Sequence, residues 1–459
     1  MKSLHKNALS IALSSLIFTG CASMVSTQSE MNKVQIPEQW QTVNALPNSF
    51  FAADGQWWTQ FGDARLSTLI ETALDKNNNL TAAGYKLRQA QLSAGLAQNN
   101  LFPTISASAS GNTSRPLDAS NASSTRSYST GVSVAYEVDL WGKLAQANHI
   151  KQWEAQATEQ DLLSTQLSIE GTVAKLYWQL AYLNQKIKLG EQSVAYARKT
   201  LELVRVQYSA GAVSQLEVLS AERSLASQEA TQEDLLQQRM VARNAMAIMF
   251  DAPPSAHISD EPQTLPNNAP PTMTTALPAE VLARRPDLQA AELRLRQSLG
   301  NIDVARANFY PTFNLTARVG TGSNTLSQIL SDPIGALALN LALPFLNWNE
   351  NQLNLKISKA AYEQNAVNFR QTLYTALQDV DNALSAQNQL RLQGEKQRLA
   401  WQNAQKAERL YEVRYRAGGD SLKSWLDAQE ARRQAESAYL LNRYNQYVNR
   451  VELILALGG

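Results

Sequence analysis

Few residues in this chain could do covalent chemistry, and they are widely scattered. There is one cysteine, Cys21, and three histidines, His5, His149 and His257. A single cysteine excludes an intrachain disulfide and a Cys-based metal cluster. Histidines this far apart give no metal-ligand spacing. The sequence contains no GxxxxGK[ST], HExxH or GxSxG. Gly320-Thr321-Gly322 falls in an expected loop and is a turn signal, not a phosphate cradle. With no catalytic constellation, neither an enzyme nor a bound cofactor is expected. One chemistry remains: acylation of a cysteine. Cys21 closes the run Phe18-Thr19-Gly20-Cys21, after a basic start (Lys2, Lys6) and a short apolar stretch. That is the form of a secretory signal, ending in a lipobox-like site with Phe18 where Leu is usual. Residues 1–20 are therefore read as a signal peptide and Cys21 as the carrier of a covalent lipid. The alternative is an ordinary signal with an incidental cysteine.

Composition narrows the classes further. Lys and Arg total 41 and Asp and Glu 40, a net charge of +1. A nucleic-acid binder usually shows a clear basic excess, so none is expected as a partner. Charged residues make up 18%, below the roughly 25% of ordinary soluble domains. Beyond the leader, no run approaches the roughly 18 apolar residues of a membrane helix. The mature chain is then either soluble and tethered or a β-barrel, since irregular backbone cannot face lipid unpaired.

Proline maps the elements that position these residues. None occurs between Pro116 and Pro253 or after Pro344, whereas 253–286 holds eight. The proline-free stretches suit long helices, and the proline-rich one is an irregular connection. The two halves repeat. Leu80-Thr81-Ala82-Ala83 and Asn100-Leu101-Phe102-Pro103-Thr104 recur 208 residues later as Leu288-Gln289-Ala290-Ala291 and Asn308-Phe309-Tyr310-Pro311-Thr312. Tyr208-Ser209-Ala210-Gly211-Ala212-Val213-Ser214 recurs 207 residues later as Tyr415-Arg416-Ala417-Gly418-Gly419-Asp420-Ser421. A near-constant offset over such lengths marks a duplicated unit. The expected organisation is an N-terminal segment 21–62, a first helix–strand–strand–helix repeat 63–252, a Pro-rich linker 253–278 and a second repeat 279–459.

Each repeat contributes two alternating segments: 105–110 and 132–138, then 313–319 and 337–343. Apolar residues occupy one face and small or polar residues the other, the pattern of strands. Lipid outside and water inside a barrel would produce it; so would a soluble sandwich with one buried face. Four strands leave open edges, which lipid does not tolerate. If these strands span a membrane, several chains must pool them. The remaining spans predict helices at 64–101, 143–208, 215–250, 279–309, 349–416 and 422–457. The two longest would each extend about 100 Å, at roughly 1.5 Å per residue. Gly211 and Gly418 permit the chain to reverse there, and Ser214 and Ser421 are placed to cap the returning helices.

Together these features resemble the TolC family of outer membrane efflux proteins, in its lipoprotein branch. The resemblance rests on Trp57-Trp58-Thr59-Gln60-Phe61-Gly62-Asp63, Tyr136-Glu137-Val138-Asp139-Leu140-Trp141-Gly142-Lys143, Arg284-Arg285-Pro286-Asp287 and the two Tyr-x-Ala-Gly-x-x-Ser segments. It implies a mixed α+β membrane protein. Three chains would pool four strands each into a trimeric 12-stranded outer-membrane β-barrel, continuous with a long periplasmic α-helical barrel. The linker and N-terminal segment would lie in an equatorial region. The implied function is a passive exit duct for small toxic compounds in a tripartite efflux pump. The implied partners are a periplasmic adaptor, an inner-membrane pump of the RND type, outer-membrane lipid and two further copies of the chain. Ala22 after Cys21 resembles lipoproteins sorted to the outer membrane.

The resemblance places Tyr208, Gly211, Ser214, Tyr415, Gly418 and Ser421 at adaptor-contacting tips. It places Asp427 and Glu217 in acidic rings at a periplasmic gate, on equivalent sites of the two tips. Ser424 stands where some relatives carry Asp, and Lys423 where efflux relatives often carry an apolar gate residue. A duct for type I protein secretion would share the fold. A non-channel coiled-coil lipoprotein is the third reading, opposed by the four alternating strands.

Overall fold

A computed structural model describes residues 55–116, 123–254, 261–271 and 283–459, with Pro37, Trp40 and Ala256. The signal segment, Cys21 and parts of the N-terminal segment and linker lie outside the described residues. The helices are α1 (Ala64–Lys76), α2 (Asn78–Asn99), α3 (Lys143–Ser209), α4 (Gln215–Met249), α5 (Pro286–Ala307), α6 (Trp348–Arg416) and α7 (Leu422–Ala456). The strands are β1 (Thr104–Ser114), β2 (Thr125–Val138), β3 (Thr312–Ser323) and β4 (Pro333–Ala342). At 67 and 69 residues, α3 and α6 match the length expected of them. No described helix is long and apolar enough to cross a membrane.

The chain divides into two compact units. One comprises residues 86–160 and 290–371 among those described. Its strands form a single antiparallel sheet in the order β1-β2-β3-β4. Strands β1, β2 and β3 outrun their expected ends into Thr-, Ser- and Gly-rich sequence, and β4 starts four residues early at Pro333 and stops at Ala342. Val132 pairs with Val319 and Val134 with Ala317, while Leu315 pairs with Leu339. The register therefore puts the apolar residues of neighbouring strands on one face. On the other face Ser106 and Ser133 join hydroxyls at 2.8 Å, as do Ser110 and Ser129. The passage from β2 to α3 is fixed by Asp139, whose carboxylate accepts from the Ala145 backbone N–H at 2.7 Å. Trp141 donates to the Pro311 carbonyl at 2.7 Å and stacks on Tyr310.

The second unit comprises Pro37, Trp40 and residues 55–85, 161–289 and 372–459 among those described. Its main core gathers Trp57, Trp58, Ile70, Val173, Trp178 and Ile454, among others. Trp57 donates to Glu170 at 2.8 Å, and Tyr177 donates to Asp63, the N-cap of α1, at 2.6 Å. The expected helix 64–101 is broken in two at Asn77. Its backbone is extended (ψ 123°), and its side-chain oxygen accepts from the N–H groups of Asn79 and Leu80. Asn side chains compete for backbone donors in this way, ending one helix and capping the next. The Nδ2 of Asn77 is anchored on the Met249 carbonyl. Arg285, largely buried, ties Asp287, Asp379 and the Ala456 carbonyl together. The linker is held by Glu261, which takes two hydrogen bonds from Arg243, and by the Pro262 carbonyl on Asn184.

Candidate functional site

The two hairpin tips, both in the second unit, contain every candidate site residue except Cys21. At the first, α3 ends at Ser209 and Gly211 takes a left-handed conformation (φ 74°). Its N–H bonds the Tyr208 carbonyl at 2.9 Å, and the Ala212 N–H reaches Gln207 at 2.8 Å. At the second, Gly418 (φ 73°) does the same, with Gly419 N–H on the Arg414 carbonyl at 2.8 Å. Any Cβ in this conformation is strained, which is why glycine serves as the hinge.

The returning helices start on Ser214 and Ser421, as the spacing suggested, by different means. Glu217, at the third position of α4, accepts from the Ser214 N–H at 2.7 Å and from its hydroxyl at 3.2 Å. That is a capping box, which ties up orphan donors of the first turn. Ser421 accepts instead from the Ser424 N–H at 3.2 Å, with the two hydroxyls 3.0 Å apart. Asp420 accepts from the Ser421 N–H at 2.9 Å, which holds its carboxyl below the usual range, and it faces Arg414 at 3.5 Å. Lys423 donates to Asp427 at 2.5 Å one turn on; both side chains are well exposed.

The two carboxylates do not occupy equivalent sites, contrary to the expectation. Glu217 and Ser424 are both third residues of their helices, so across the 207-residue offset Glu217 matches Ser424. Asp427 matches Ser220. The two acidic residues sit one turn apart in the repeat, not at equivalent sites.

The tips are joined by a second apolar cluster that the sequence did not single out. It contains Leu201, Val204, Ala221, Tyr415, Leu422 and Trp425. Trp425 is 1% exposed, stacks on Tyr415 at 5.1 Å and meets Tyr196 edge-on at 6.1 Å. Tyr415 donates to Gln207 of the first tip at 2.5 Å. Burial raises the Tyr415 phenol, and the nearby Glu217 carboxylate adds to the effect. Its repeat mate Tyr208 is exposed. Behind Trp425, Glu408 and Arg432 pair at 2.5 Å, nearly buried, and Arg432 also reaches Glu436 at 2.6 Å. The only signal for this cluster was a Trp in the first turn after a glycine hinge. Apolar side chains remain uncovered around it, Val206, Leu216 and Leu219 on one tip and Leu410 and Val413 on the other. Among the described residues no group of three or more His, Cys, Asp or Glu could hold a metal.

Residues 69–249 and 277–459 match the family model described as outer membrane efflux protein. The chain is 30% identical to the "Probable efflux pump outer membrane protein TtgC" of Pseudomonas putida, over 99% of this chain and 96% of that one. It is 30% identical to the "Pyoverdine export outer membrane protein OpmQ" of the same species, over 92% of each. Among solved structures, the open state of the Neisseria gonorrhoeae MtrE outer membrane channel aligns with a TM-score of 0.81 at 30% identity, over 95% of this chain and 98% of that one.

Proposed function

The chain belongs to the outer membrane efflux protein family, and from that premise we infer how it works as the outer-membrane exit duct of an efflux pump. The observation that carries the reading is the pairing of an open four-stranded sheet, apolar on one face, with two glycine-hinged hairpins of very long helices. An open sheet cannot sit in lipid with unpaired edges. Three copies would close a 12-stranded barrel and remove them. The hydroxyl-lined face would then border water and the apolar face lipid.

The duct opens on the periplasmic side at the two tips. The uncovered Leu216, Leu219, Leu410 and Val413 support docking of a periplasmic adaptor there, which bridges to an inner-membrane pump of the RND type. Asp427 and Lys423, exposed on the second tip, are the charges available to a gate; Glu217 is held by its capping box. Ser424 serves the cap of α7. Acylation of Cys21 adds an anchor beside the barrel. The chain itself carries out no chemical step; compounds pass through it passively.

Assembly is tested by mass measurement and heat treatment in detergent. A trimer that dissociates on heating is expected. A stable monomer that conducts ions in bilayers overturns this architecture. Palmitate labelling tests the anchor: label should enter the wild type and be lost in Cys21→Ser.

A further inference from the structure

The hydroxyl-bearing face of the sheet carries only two charged side chains among the described residues, and they are far apart. The register places Ser106, Ser133, Arg318 and Ala336 in one row across the four strands. Glu137 lies opposite Asn314, four residues along β2 from Ser133, about 13 Å away. That exceeds the Debye length of about 8 Å at physiological salt, so the carboxylate does not neutralise the guanidinium through water. Arg318 is exposed, and no hydrogen bond or ion pair joins it to another described residue.

Its neighbours on the sheet are small. Gly131 and Gly320 face each other in the next row toward the loop end of the strands. A Cβ at either would come within 3.4 or 3.5 Å of Arg318 Nε. The guanidinium stem therefore lies along the sheet over a notch made by two missing side chains. Glycine weakens a strand and commonly marks a close approach; here the closest atoms are backbone, Gly320 Cα and the Val319 carbonyl at 3.1 Å from a Cβ on Gly131 and the Thr130 carbonyl at 2.9 Å from one on Gly320, with Arg318 lying beside them.

We propose that Arg318 is a selectivity residue: three copies form a cationic ring inside the membrane barrel and favour the passage of anionic compounds. This rests on the trimeric barrel inferred above. A 12-stranded barrel falls between eight strands, which side chains fill, and the 16–18 of an open porin. Three guanidinium groups then line the wall at one level of the lumen, and rings of Arg or Lys are the devices of anion pores.

The test uses Ser133→Cys, directly across from Arg318, in the full-length protein in outer membranes, with the parent protein as background. Thiol modification is timed with an anionic sulfonatoethyl and a cationic trimethylammonioethyl methanethiosulfonate added from outside. The anionic reagent should react faster. The anion-to-cation rate ratio should fall about tenfold when Arg318→Gln is added, the size expected of a unit charge some 5 Å away in water. Arg318→Lys should keep most of the ratio, which separates lost charge from a disturbed sheet. A ratio unchanged by Arg318→Gln overturns the proposal while the barrel stands. If neither charged reagent reacts but a lipid-soluble maleimide does, the face is not the water face and the barrel reading itself fails.

Discussion

The two tips are copies offset by 207 residues, yet they fill the same slot between helices with opposite chemistry. In the first tip the slot holds Leu201 and Leu225, both in the apolar cluster, beside an open groove of about 500 Å³. In the second, the matching positions are Glu408 and Arg432, an ion pair with side chains 11% and 20% exposed. Tyr208 is exposed where Tyr415 is buried, and Val218 stands where Trp425 fills the centre of the cluster. The hinge and cap that make a tip are kept in both copies. What differs is how firmly the returning helix is held. A leucine pair packs without directional demands. A buried ion pair tolerates only one geometry and is costly to break on one side.

The largest expected effect follows from that asymmetry. Arg432→Leu strands Glu408 and Glu436 without their shared cation and should destabilise the protein by about 3–5 kcal/mol. Glu408→Leu/Arg432→Leu/Glu436→Gln, which copies the apolar slot of the first tip, should recover most of that loss. Thermal unfolding in detergent checks both, and equal losses in the two variants would remove the distinction between the slots. A pH series sharpens it. Burial raises the Glu408 and Glu436 carboxyls above their ordinary value, more than Arg432 lowers them. Such groups bind more protons folded than unfolded, so their stabilising contribution is full below about 4.5 and is lost as pH rises through the folded value. Tyr196, Glu412 and Arg433 also face this cluster. The stability of the wild type relative to the triple variant should therefore rise as pH falls from neutral toward the mid-fours, the depressed carboxyls of Glu261, Asp420 and Glu430 acting alike in both proteins.

Most of this scaffold was legible because its signals are long. Duplication and proline-free helices extend over tens of residues, and the short alternating strands recur four times, so local exceptions do not erase them. The exceptions were what escaped. Asn77 interrupts an otherwise helical pattern, and nothing in composition says its side chain captures the next turn's donors. Nothing in the sequence singles out Glu408 and Arg432, since burial of an ion pair depends on what the neighbouring helix brings. The match of Glu217 to Asp427 slipped by one turn because both are acidic residues soon after a hinge. The 207-residue offset itself sets Glu217 against Ser424, and the caps agree, both being third residues of their helices. Cap positions were legible from Gly and Ser spacing; the roles of the charges around them were not.

A smaller effect separates the two caps. Glu217→Ala removes the carboxylate that accepts from Ser214 and should cost about 1 kcal/mol. Ser424→Ala, at the same position, leaves the Ser421 oxygen on the backbone N–H of residue 424 and should cost less than about 0.5 kcal/mol. The two single variants, melted side by side, check this. Equal losses would mean the capping box of the first tip does no more than the serine pair of the second.

The smallest stability effect is expected at Lys423 and Asp427, which makes them the most informative for conduction. Their ion pair is exposed and spaced by one helical turn, so it contributes only about 0.3–0.5 kcal/mol. Asp427→Ala should leave the melting temperature almost unchanged. Three copies of Asp427 at a periplasmic constriction would nonetheless attract cations, with Lys423 offsetting part of their charge. Asp427→Ala should then move the reversal potential in a salt gradient away from cation preference, and Lys423→Ala should move it the opposite way. Glu217→Ala, whose carboxylate is already held by its cap, should shift selectivity less than Asp427→Ala. Planar-bilayer recordings of the three variants, with melting curves alongside, separate pore charge from helix stability. If Asp427→Ala keeps the wild-type reversal potential and conductance, the second tip's charges do not border the constriction, and the difference between the tips is confined to how their helices are held.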